Sequence, residues 1–197
     1  MFVTFEGIDG SGKSTQAALL AERLREQGRD VVLTREPGGT PLGEAVRDLL
    51  LHGGDVSPWA EAALYAASRA QHVAELIRPA LARGAFVVCD RYLDSSVAYQ
   101  GAARGLGFEA VLDLNLAVVG GLVPDRTVLL ELSAAAAAER MGDDLDRLER
   151  EGDSFREAAA SAYGELATRF AERYLLVDAE QPPARVAKAV WRALELG

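Results

Sequence analysis

The sequence predicts an α/β fold, with a five-stranded parallel sheet covered by helices on both faces. Short apolar segments alternate with longer helical stretches along the whole chain, as in parallel sheets whose strands are joined by helical crossovers. A glycine-rich loop connects the first of these strands to the first helix. With 197 residues, 49% of them hydrophobic, the chain is long enough for one substantial core and short for two. We therefore expect a single domain over residues 1–197.

Five segments have the length and composition of β-strands: Phe2–Glu6, residues 30–34, residues 85–89, residues 126–132 and Tyr174–Asp178. The third of them has almost no polar residue, as a strand buried on both faces requires. In open parallel sheets, ligands bind beyond the carboxyl ends of the strands. The residues that directly follow these strands are therefore the first candidates for a functional site.

Helical stretches separate and follow the strands. The first, over residues 13–27, repeats apolar residues on one face and ends before Gly28, a helix-stop signal. The others cover residues 42–51, 58–83, 108–119, 134–141, 155–172 and 183–196. Residues 142–153 lack apolar periodicity and are rich in Asp, Glu and Arg. We expect a solvated flap there, and thus a short lid at about residues 140–153.

Composition narrows the classes of function. The net charge is −9 and the pI is about 4.8, which disfavours a general nucleic-acid binder because an acidic surface repels phosphate backbones. A local basic pocket for a small anionic substrate fits this charge better. The single cysteine, Cys89, cannot form an internal disulfide, as expected in a reducing compartment. Without a signal-like N-terminus or an apolar run of about 18 residues, we expect a cytoplasmic protein with no membrane or nucleic-acid partner.

The strongest motif is Gly7-x-x-x-x-Gly12-Lys13-Ser14, which follows a predicted strand and opens a predicted helix. Its glycines let backbone N–H groups converge on phosphate oxygens, and the helix N-terminus adds partial positive charge. Lys13 would bridge the β- and γ-phosphates, and the Ser14 hydroxyl would coordinate Mg²⁺. This context predicts a P-loop NTPase fold. The ATP-binding residues are then Gly7, Gly10, Ser11, Gly12, Lys13, Ser14 and Thr15.

Triphosphate binding alone does not define the reaction, since GTPase switches, ATPase motors and kinases share this loop. A guanine-specific switch normally carries Asn-Lys-x-Asp. The only lysine after Lys13 is Lys188, which Ala187 precedes, so the switch is disfavoured. A motor usually belongs to a larger assembly, and nothing in the chain supplies a second module. These considerations favour a kinase.

Three further segments are expected near the same edge of the sheet. Residues 35–40, Arg-Glu-Pro-Gly-Gly-Thr, follow the second strand; Asp-Arg-Tyr at 90–92 follows the third and leads to Ala-Tyr-Gln-Gly at 98–101. Tyr65 and Arg69 lie four apart, on one helix face. With the phosphate loop, and in this order, these motifs closely resemble those of thymidylate kinases from Phe5 through Asp178. The resemblance implies phosphoryl transfer from ATP to thymidine monophosphate, with Mg²⁺ as cofactor, by a homodimer.

The resemblance also implies roles near the acceptor phosphate. Asp9 matches an acid that contacts the sugar 3′-hydroxyl and helps to order the metal site, although an Asp there is also compatible with helix capping. Arg47 and Arg91 match arginines that hold the acceptor phosphate, for which a planar guanidinium is suited. Without the resemblance, a solvated helix face is about as plausible for Arg47. Glu36, in the Arg-Glu-Pro-Gly-Gly motif, is placed among the substrate-binding residues.

Other matches concern the acceptor base and sugar. Tyr65 stands where the family commonly has a phenylalanine stacked on thymine, and a tyrosine ring can still stack. Arg69 matches the arginine that hydrogen-bonds the base, and Ser96 and Gln100 lie near positions that line the base edge. Tyr99 matches an aromatic residue that would crowd a 2′-hydroxyl. From spacing alone, the two tyrosines are equally typical of the edge of a core.

The catalytic assignments are Lys13, Asp9, Arg91 and one or two lid arginines. Some family members carry an arginine in the phosphate loop, where this chain has Gly10 and Ser11; the lid would then supply it. Arg147, in Asp-Arg-Leu-Glu, matches the family best, and Arg140 is the second candidate.

The predicted metal residues are Ser14 and Asp90, the latter through water, and a plain turn residue is the alternative for Asp90. Tyr163 matches a tyrosine near the phosphates in some members of the family. The long helix over residues 58–83 is a candidate for part of the dimer interface.

Two alternatives stay open. Because Tyr65 departs from the usual phenylalanine, the chain could be a nucleotide kinase that prefers another acceptor, such as uridine or deoxyuridine monophosphate. The short, acidic lid also suits a regulatory or scaffold protein that binds nucleotide without turnover. The intact Lys13, Ser14, Asp90 and Arg91 argue against this second alternative.

Overall fold

A computed structural model of the protein describes residues 1–140, 147 and 151–196. Five strands form one parallel sheet: β1 (Phe2–Glu6), β2 (Val31–Arg35), β3 (Phe86–Asp90), β4 (Arg126–Glu131) and β5 (Tyr174–Asp178). Their order across the sheet is β2-β3-β1-β4-β5. The predicted five-stranded parallel sheet is therefore confirmed.

The position of β1 determines where a ligand can bind. This strand lies in the middle, with β3 on one side and β4 on the other, and Phe5 is paired with Asp90. The chain runs from β1 to the edge strand β2 on the β3 side, and later adds β4 on the opposite side. Such a reversal of strand order opens a crevice at the carboxyl ends of the strands. The glycine-rich loop leaves β1 at this crevice.

Helices connect the strands. They are α1 (Lys13–Glu26), α2 (Pro41–His52), α3 (Pro58–His72), α4 (Arg78–Ala82), α5 (Leu93–Ser96), α6 (Phe108–Val118), α7 (Ala134–Arg140), α8 (Asp153–Arg169) and α9 (Pro183–Ala193). A π-helical turn, Val73–Ile77, joins α3 to α4, and the π-helical segment Val97–Ala103 continues α5. Among the described residues, no helix is both long and apolar enough to cross a lipid bilayer.

The sheet separates two apolar cores, because neighbouring side chains of a strand point to opposite faces. On one face, Phe2 and Val87 pack with residues of the π-helical segment and α8. On the other face, Val3 and Val88 pack with residues of α1 and α9. All four side chains are at most 1% exposed. The helices on both faces confirm the predicted layering.

One helix was missed in the sequence. Residues 93–103 are helical, although Asp94, Ser95 and Ser96 are poor helix formers. Tertiary contacts compensate: the buried Asp94 carboxylate accepts hydrogen bonds from Arg173 Nη2 at 2.6 Å and from the Tyr174 hydroxyl at 2.9 Å. Local propensity could not reveal a helix that distant side chains stabilise.

Candidate active site

A cavity of about 840 Å³ lies at the carboxyl ends of β1, β2 and β3, within the size range of small-molecule sites. Most of the residues predicted for the site line it: Asp9, Gly10, Gly12, Lys13, Ser14, Thr15, Glu36, Arg47, Tyr65, Arg69, Asp90, Arg91, Ser96, Tyr99, Gln100 and Arg140. Gly7 and Ser11 belong to the same loop without lining the cavity, and Arg147 lies elsewhere. The cavity thus joins the phosphate loop to the segments assigned to the acceptor.

The phosphate loop depends on glycine at two positions. Gly7 has φ 138°, and a Cβ there would lie 2.7 Å from the Leu130 carbonyl oxygen. Gly12, with φ 88°, precedes α1 in a left-handed conformation, although a Cβ there would meet no atom within 4 Å. Its backbone conformation therefore favours glycine, since other residues pay a steric cost there. This turn directs the N-terminus of α1 toward the cavity, where anions are favoured.

Lys13 is held inside the loop. Its Nζ donates to the Ile8 carbonyl oxygen at 2.8 Å and lies 4.0 Å from Asp9 Oδ1, and the residue is 7% exposed. Burial, and next the Arg91 guanidinium, lowers the pKa of Lys13 to about 8, although nearby carboxylates act in the opposite direction. A bound polyphosphate would offset this destabilisation of the ammonium.

Arg91 and Asp9 form an ion pair that faces the cavity. The Tyr99 hydroxyl donates to the other Asp9 oxygen at 3.0 Å, and Arg91 Nη1 donates to the Gly7 carbonyl at 3.2 Å. Burial alone would raise the pKa of Asp9, but Arg91 and Lys13 hold it below its ordinary value. Arg91 itself has φ 68°, a strained conformation that is often retained at functional sites.

Ser14 and Asp90 meet at the end of β3, where the serine hydroxyl donates to Asp90 Oδ2. The other carboxylate oxygen, Oδ1, is buried and has no hydrogen-bond partner among the described residues. Oxygen donors of this kind suit Mg²⁺, which usually keeps several waters and binds phosphate oxygens. The described part of the chain has no group of three or more His, Cys, Asp or Glu side chains placed to hold a metal ion. The pair therefore fits an ion that takes further ligands from phosphates and water.

Arg69 is fixed beneath the acceptor end of the cavity and is 1% exposed. Its Nε donates to Glu36 Oε2 at 2.6 Å, Nη1 to Ser96 Oγ at 3.0 Å and to Asn115 Oδ1, and Nη2 to the Tyr92 carbonyl at 3.1 Å. These bonds use four of the five guanidinium N–H groups. One N–H of Nη2 is left for a ligand.

A buried histidine continues this network and was not assigned to the site from the sequence. His72 Nδ1 lies 2.9 Å from Glu36 Oε1, and its Nε2 lies 2.7 Å from Thr34 Oγ1. Glu36 thus bridges His72 and Arg69. The three-residue spacing between Arg69 and His72 on α3 was the available signal, because residues three apart share a helix face.

Arg47 and Tyr163 differ in their access to the cavity. Arg47 lines the cavity and donates to the Pro37 carbonyl at 3.1 Å. The Tyr163 hydroxyl is buried, 2.9 Å from both Glu6 Oε2 and Ser95 Oγ, and Tyr163 does not line the cavity. Glu6 ends β1 and was not singled out in the sequence, where it reads as the last residue of a strand.

The two candidate lid arginines lie in different places. Arg140 lines the cavity and donates to the Ala179 carbonyl at 3.0 Å. Arg147 instead donates to Glu61 Oε2 at 2.7 Å and to the Leu50 carbonyl at 2.8 Å. Residues 141–146 and 148–150 of the predicted lid lie outside the described part of the chain.

Gln100 contacts the carboxylate of Glu61, to which Arg147 also donates. Its Nε2 donates to Glu61 Oε1 at 2.9 Å. Glu61 was not among the residues predicted from the sequence, although Glu61, Tyr65 and Arg69 recur every four residues on α3. That recurrence could have placed all three on one face.

Comparison with known proteins identifies the family. The sequence profile described as thymidylate kinase matches residues 5–190. The chain is 53% identical over 194 aligned positions to a thymidylate kinase from Clavibacter sepedonicus, covering 96% of this chain and 92% of that protein. It is 49% identical over 200 aligned positions to one from Bifidobacterium longum strain NCC 2705, covering 99% and 95%.

A solved structure agrees with these sequence matches. The crystal structure of thymidylate kinase from Ehrlichia chaffeensis has a TM-score of 0.85 and 33% identity to this chain. The match covers 99% of this chain and 98% of that structure. Fold, phosphate loop and sequence similarity agree, and the chain belongs to the thymidylate kinase family.

Proposed function

We propose that this protein transfers the γ-phosphoryl group of ATP to thymidine monophosphate, producing thymidine diphosphate and ADP. The observation that carries the proposal is one continuous cavity, with the phosphate loop at one end and Tyr65, Arg69 and Gln100 at the other. A donor and an acceptor nucleotide can thus be held in line, and alignment is the main requirement of phosphoryl transfer. Family membership supports the choice of acceptor.

At the donor end, the loop N–H groups and the N-terminus of α1 would bind the triphosphate, with Lys13 bridging its β- and γ-phosphates. Ser14 and Asp90 would hold Mg²⁺, whose charge, when it is bound, neutralises the phosphate oxygens. The unpartnered Oδ1 of Asp90 supports this assignment. Arg140, which lines the cavity, is our candidate for a further cation at the transferring group.

At the acceptor phosphate, Arg47 and Arg91 would bind the oxygens, and Asp9 would accept a hydrogen bond from the sugar 3′-hydroxyl. The ion pair with Arg91 keeps Asp9 ionised, as an acceptor must be. A phosphate monoester is itself a nucleophile near neutral pH, so no general base is required. The protein then contributes position and positive charge.

At the acceptor base, we expect Tyr65 to stack on the ring, with Arg69, Ser96 and Gln100 at its edge. The bond network of Arg69 supports this, because a fixed guanidinium offers an N–H in one direction. The Tyr99 hydroxyl is bound to Asp9, which would keep its ring close to the sugar. We expect that ring to crowd a 2′-hydroxyl.

We also propose the remaining features expected from the sequence: one nucleotide kinase domain over residues 1–197, a lid at about 140–153, a cytoplasmic location and a homodimer without nucleic-acid or membrane partners. The acidic net charge supports the absence of a nucleic-acid partner. Buried Cys89, whose thiol pKa burial raises well above its ordinary value, is compatible with a reducing compartment.

The function is tested by measuring ADP release with ATP and Mg²⁺ across a panel of nucleoside monophosphates. We expect turnover that is largely confined to thymidine monophosphate. Equal or greater turnover with another acceptor would keep the kinase but contradict the assigned acceptor. ATP binding without acceptor-dependent ADP release would favour a binding protein instead.

A further inference from the structure

A second carboxylate lies behind the base end of the cavity. Glu61, on α3, is fully buried and does not line the cavity. It accepts a hydrogen bond from Gln100 Nε2 at 2.9 Å, from Arg104 Nη2 at 3.3 Å and from Arg147 Nη2 at 2.7 Å. One buried carboxylate thus contacts two arginines and one amide.

Two arginines form ion pairs with Glu61. A buried carboxylate is strongly disfavoured unless it is paired and hydrogen-bonded, and Arg104 and Arg147 provide both. The Arg104 guanidinium is also held over the Phe155 ring, at 4.9 Å from its centroid. The two ion pairs at Glu61 are therefore a built feature of the site.

An ionised carboxylate only accepts hydrogen bonds. The Gln100 amide accordingly presents its Nε2 to Glu61, so its carbonyl oxygen is the end that can accept a hydrogen bond from a ligand. Gln100 is 2% exposed and lines the cavity. Without Glu61, the amide could adopt either orientation at little cost, since its two ends are nearly equal in size.

We infer that Glu61 is a positioning residue that determines base specificity, because it fixes Gln100 as a hydrogen-bond acceptor toward the base. This inference rests on the proposed function. Thymine and uracil carry an N–H at ring position 3, which can donate to the Gln100 carbonyl. Cytosine has an acceptor at that position, so two acceptors would face each other. Because a buried polar group without a hydrogen-bond partner costs free energy, such a mismatch discriminates strongly against cytosine.

The test replaces Glu61 by glutamine and compares three acceptors: thymidine, deoxyuridine and deoxycytidine monophosphate. The amide in Glu61→Gln can donate as well as accept, so Gln100 can turn and offer its NH₂ to cytosine. We expect the preference for thymidine over deoxycytidine monophosphate, as a ratio of kcat/KM, to fall about tenfold or more. Thymidine and deoxyuridine monophosphate both carry the N–H, so the preference between these two should stay within about twofold of its wild-type value. The kcat for thymidine monophosphate should stay within about threefold of wild type.

The control is Glu22→Gln, which removes one exposed glutamate from α1 and should leave all three ratios unchanged. A general loss of folding lowers activity with every acceptor and leaves the ratios as they were. An unchanged thymidine-to-deoxycytidine ratio in folded Glu61→Gln would overturn the inference while the proposed function stands. Wild-type protein without turnover of thymidine monophosphate would overturn the proposed function itself.

Arg104→Met provides a second variant in case Glu61→Gln does not fold. It removes one of the two cations from Glu61 and leaves the cavity lining intact. We expect the same ratio to fall several-fold, with kcat for thymidine monophosphate retained. A loss of kcat with an unchanged ratio would contradict the positioning role.

Discussion

At the scale of single residues, the burial of Lys13 in the phosphate loop is consistent with its expected role in binding the β- and γ-phosphates. It is one of only two lysines in the chain, and it is buried while Lys188 is exposed. Its ammonium bonds to a loop carbonyl, and burial lowers its pKa to about 8. A cation that protein groups satisfy only partly is well placed to respond to phosphate charge.

Lys13→Ala should lower kcat/KM with ATP and thymidine monophosphate by about 1,000-fold, because the transition state loses a cation that the substrate cannot replace. Steady-state kinetics measures the change, and thermal unfolding checks that the fold persists. The matched control is Lys188→Ala, which removes an exposed lysine from α9 and should stay within twofold of wild type. Comparable activity of the two variants would contradict the assigned role of Lys13.

The two lid candidates should differ in the kinetic parameter that they affect. Arg140 lines the cavity, and Arg147 contacts Glu61. We expect Arg140→Met to lower kcat/KM for ATP by about 100-fold, with KM for thymidine monophosphate within twofold. Arg147→Met should mainly raise KM for thymidine monophosphate, because it loosens the Glu61 network. Steady-state kinetics with each substrate varied distinguishes them, and the reverse pattern would assign the catalytic role to Arg147.

At the scale of elements, Glu6 joins β1 to two helices. Its carboxylate accepts hydrogen bonds from the Tyr92 N–H at 2.7 Å, from Ser95 Oγ at 2.6 Å and from the Tyr163 hydroxyl at 2.9 Å. Burial, and next the Asp94 carboxylate, raises the pKa of Glu6 to about 7, while Ser95, Arg91 and Tyr163 act in the opposite direction. The junction of β1, α5 and α8 should therefore depend on pH.

Proton linkage determines whether the free energy of unfolding rises or falls with pH. Between its ordinary pKa of 4.5 and about 7, Glu6 holds a proton in the folded protein that the unfolded chain releases. The free energy of unfolding should therefore fall as the pH rises through this window, by at most about 3 kcal/mol. Glu6→Gln removes this contribution, so the stability of the variant relative to wild type should increase from pH 5 to pH 8. Urea denaturation at four pH values measures it, with Glu22→Gln as control; a constant difference would contradict the raised pKa.

The elements show where sequence patterns were sufficient. Strands and amphipathic helices were predicted because their periodicity is local, and the phosphate loop because its motif is contiguous. The helix of residues 93–103 was missed because Arg173 and Tyr174, about 80 residues away, stabilise a segment of low propensity. Glu61 was missed for a related reason: its importance lies in contacts with Gln100, Arg104 and Arg147, which no spacing in the sequence connects.

At the scale of the molecule, two exposed apolar side chains are candidates for the interface of the proposed homodimer. Trp59, at the start of α3, is 52% exposed, and Leu49 on α2 is 49% exposed, and α2 packs against α3. Contiguous exposed apolar patches often mark interaction surfaces, and the packing of α2 on α3 makes these two side chains our candidates for part of such a patch. They support the expectation that the helical region beginning at residue 58 contributes to a homodimer.

Sedimentation equilibrium should therefore give wild-type protein a mass of twice 21.0 kDa. Trp59→Glu should raise the dissociation constant by about 100-fold or more, because it would bury an unpaired charge. Leu176→Glu is the matched control, since Leu176 is 57% exposed on the edge strand β5. A monomeric wild type would contradict the dimer, and a Trp59→Glu dimer of unchanged affinity would move the interface elsewhere.

By itself, the sequence determined the sheet, the phosphate loop and the identity of most residues around the cavity, because periodicity and contiguous motifs encode them locally. Only the tertiary structure decided which of those side chains form hydrogen bonds and ion pairs with one another. It paired Arg91 with Asp9, surrounded Arg69 with four acceptors, and set Glu61 behind Gln100. The physical reason is that buried polar groups must find partners wherever the packed chain brings them, and those partners are distant in sequence.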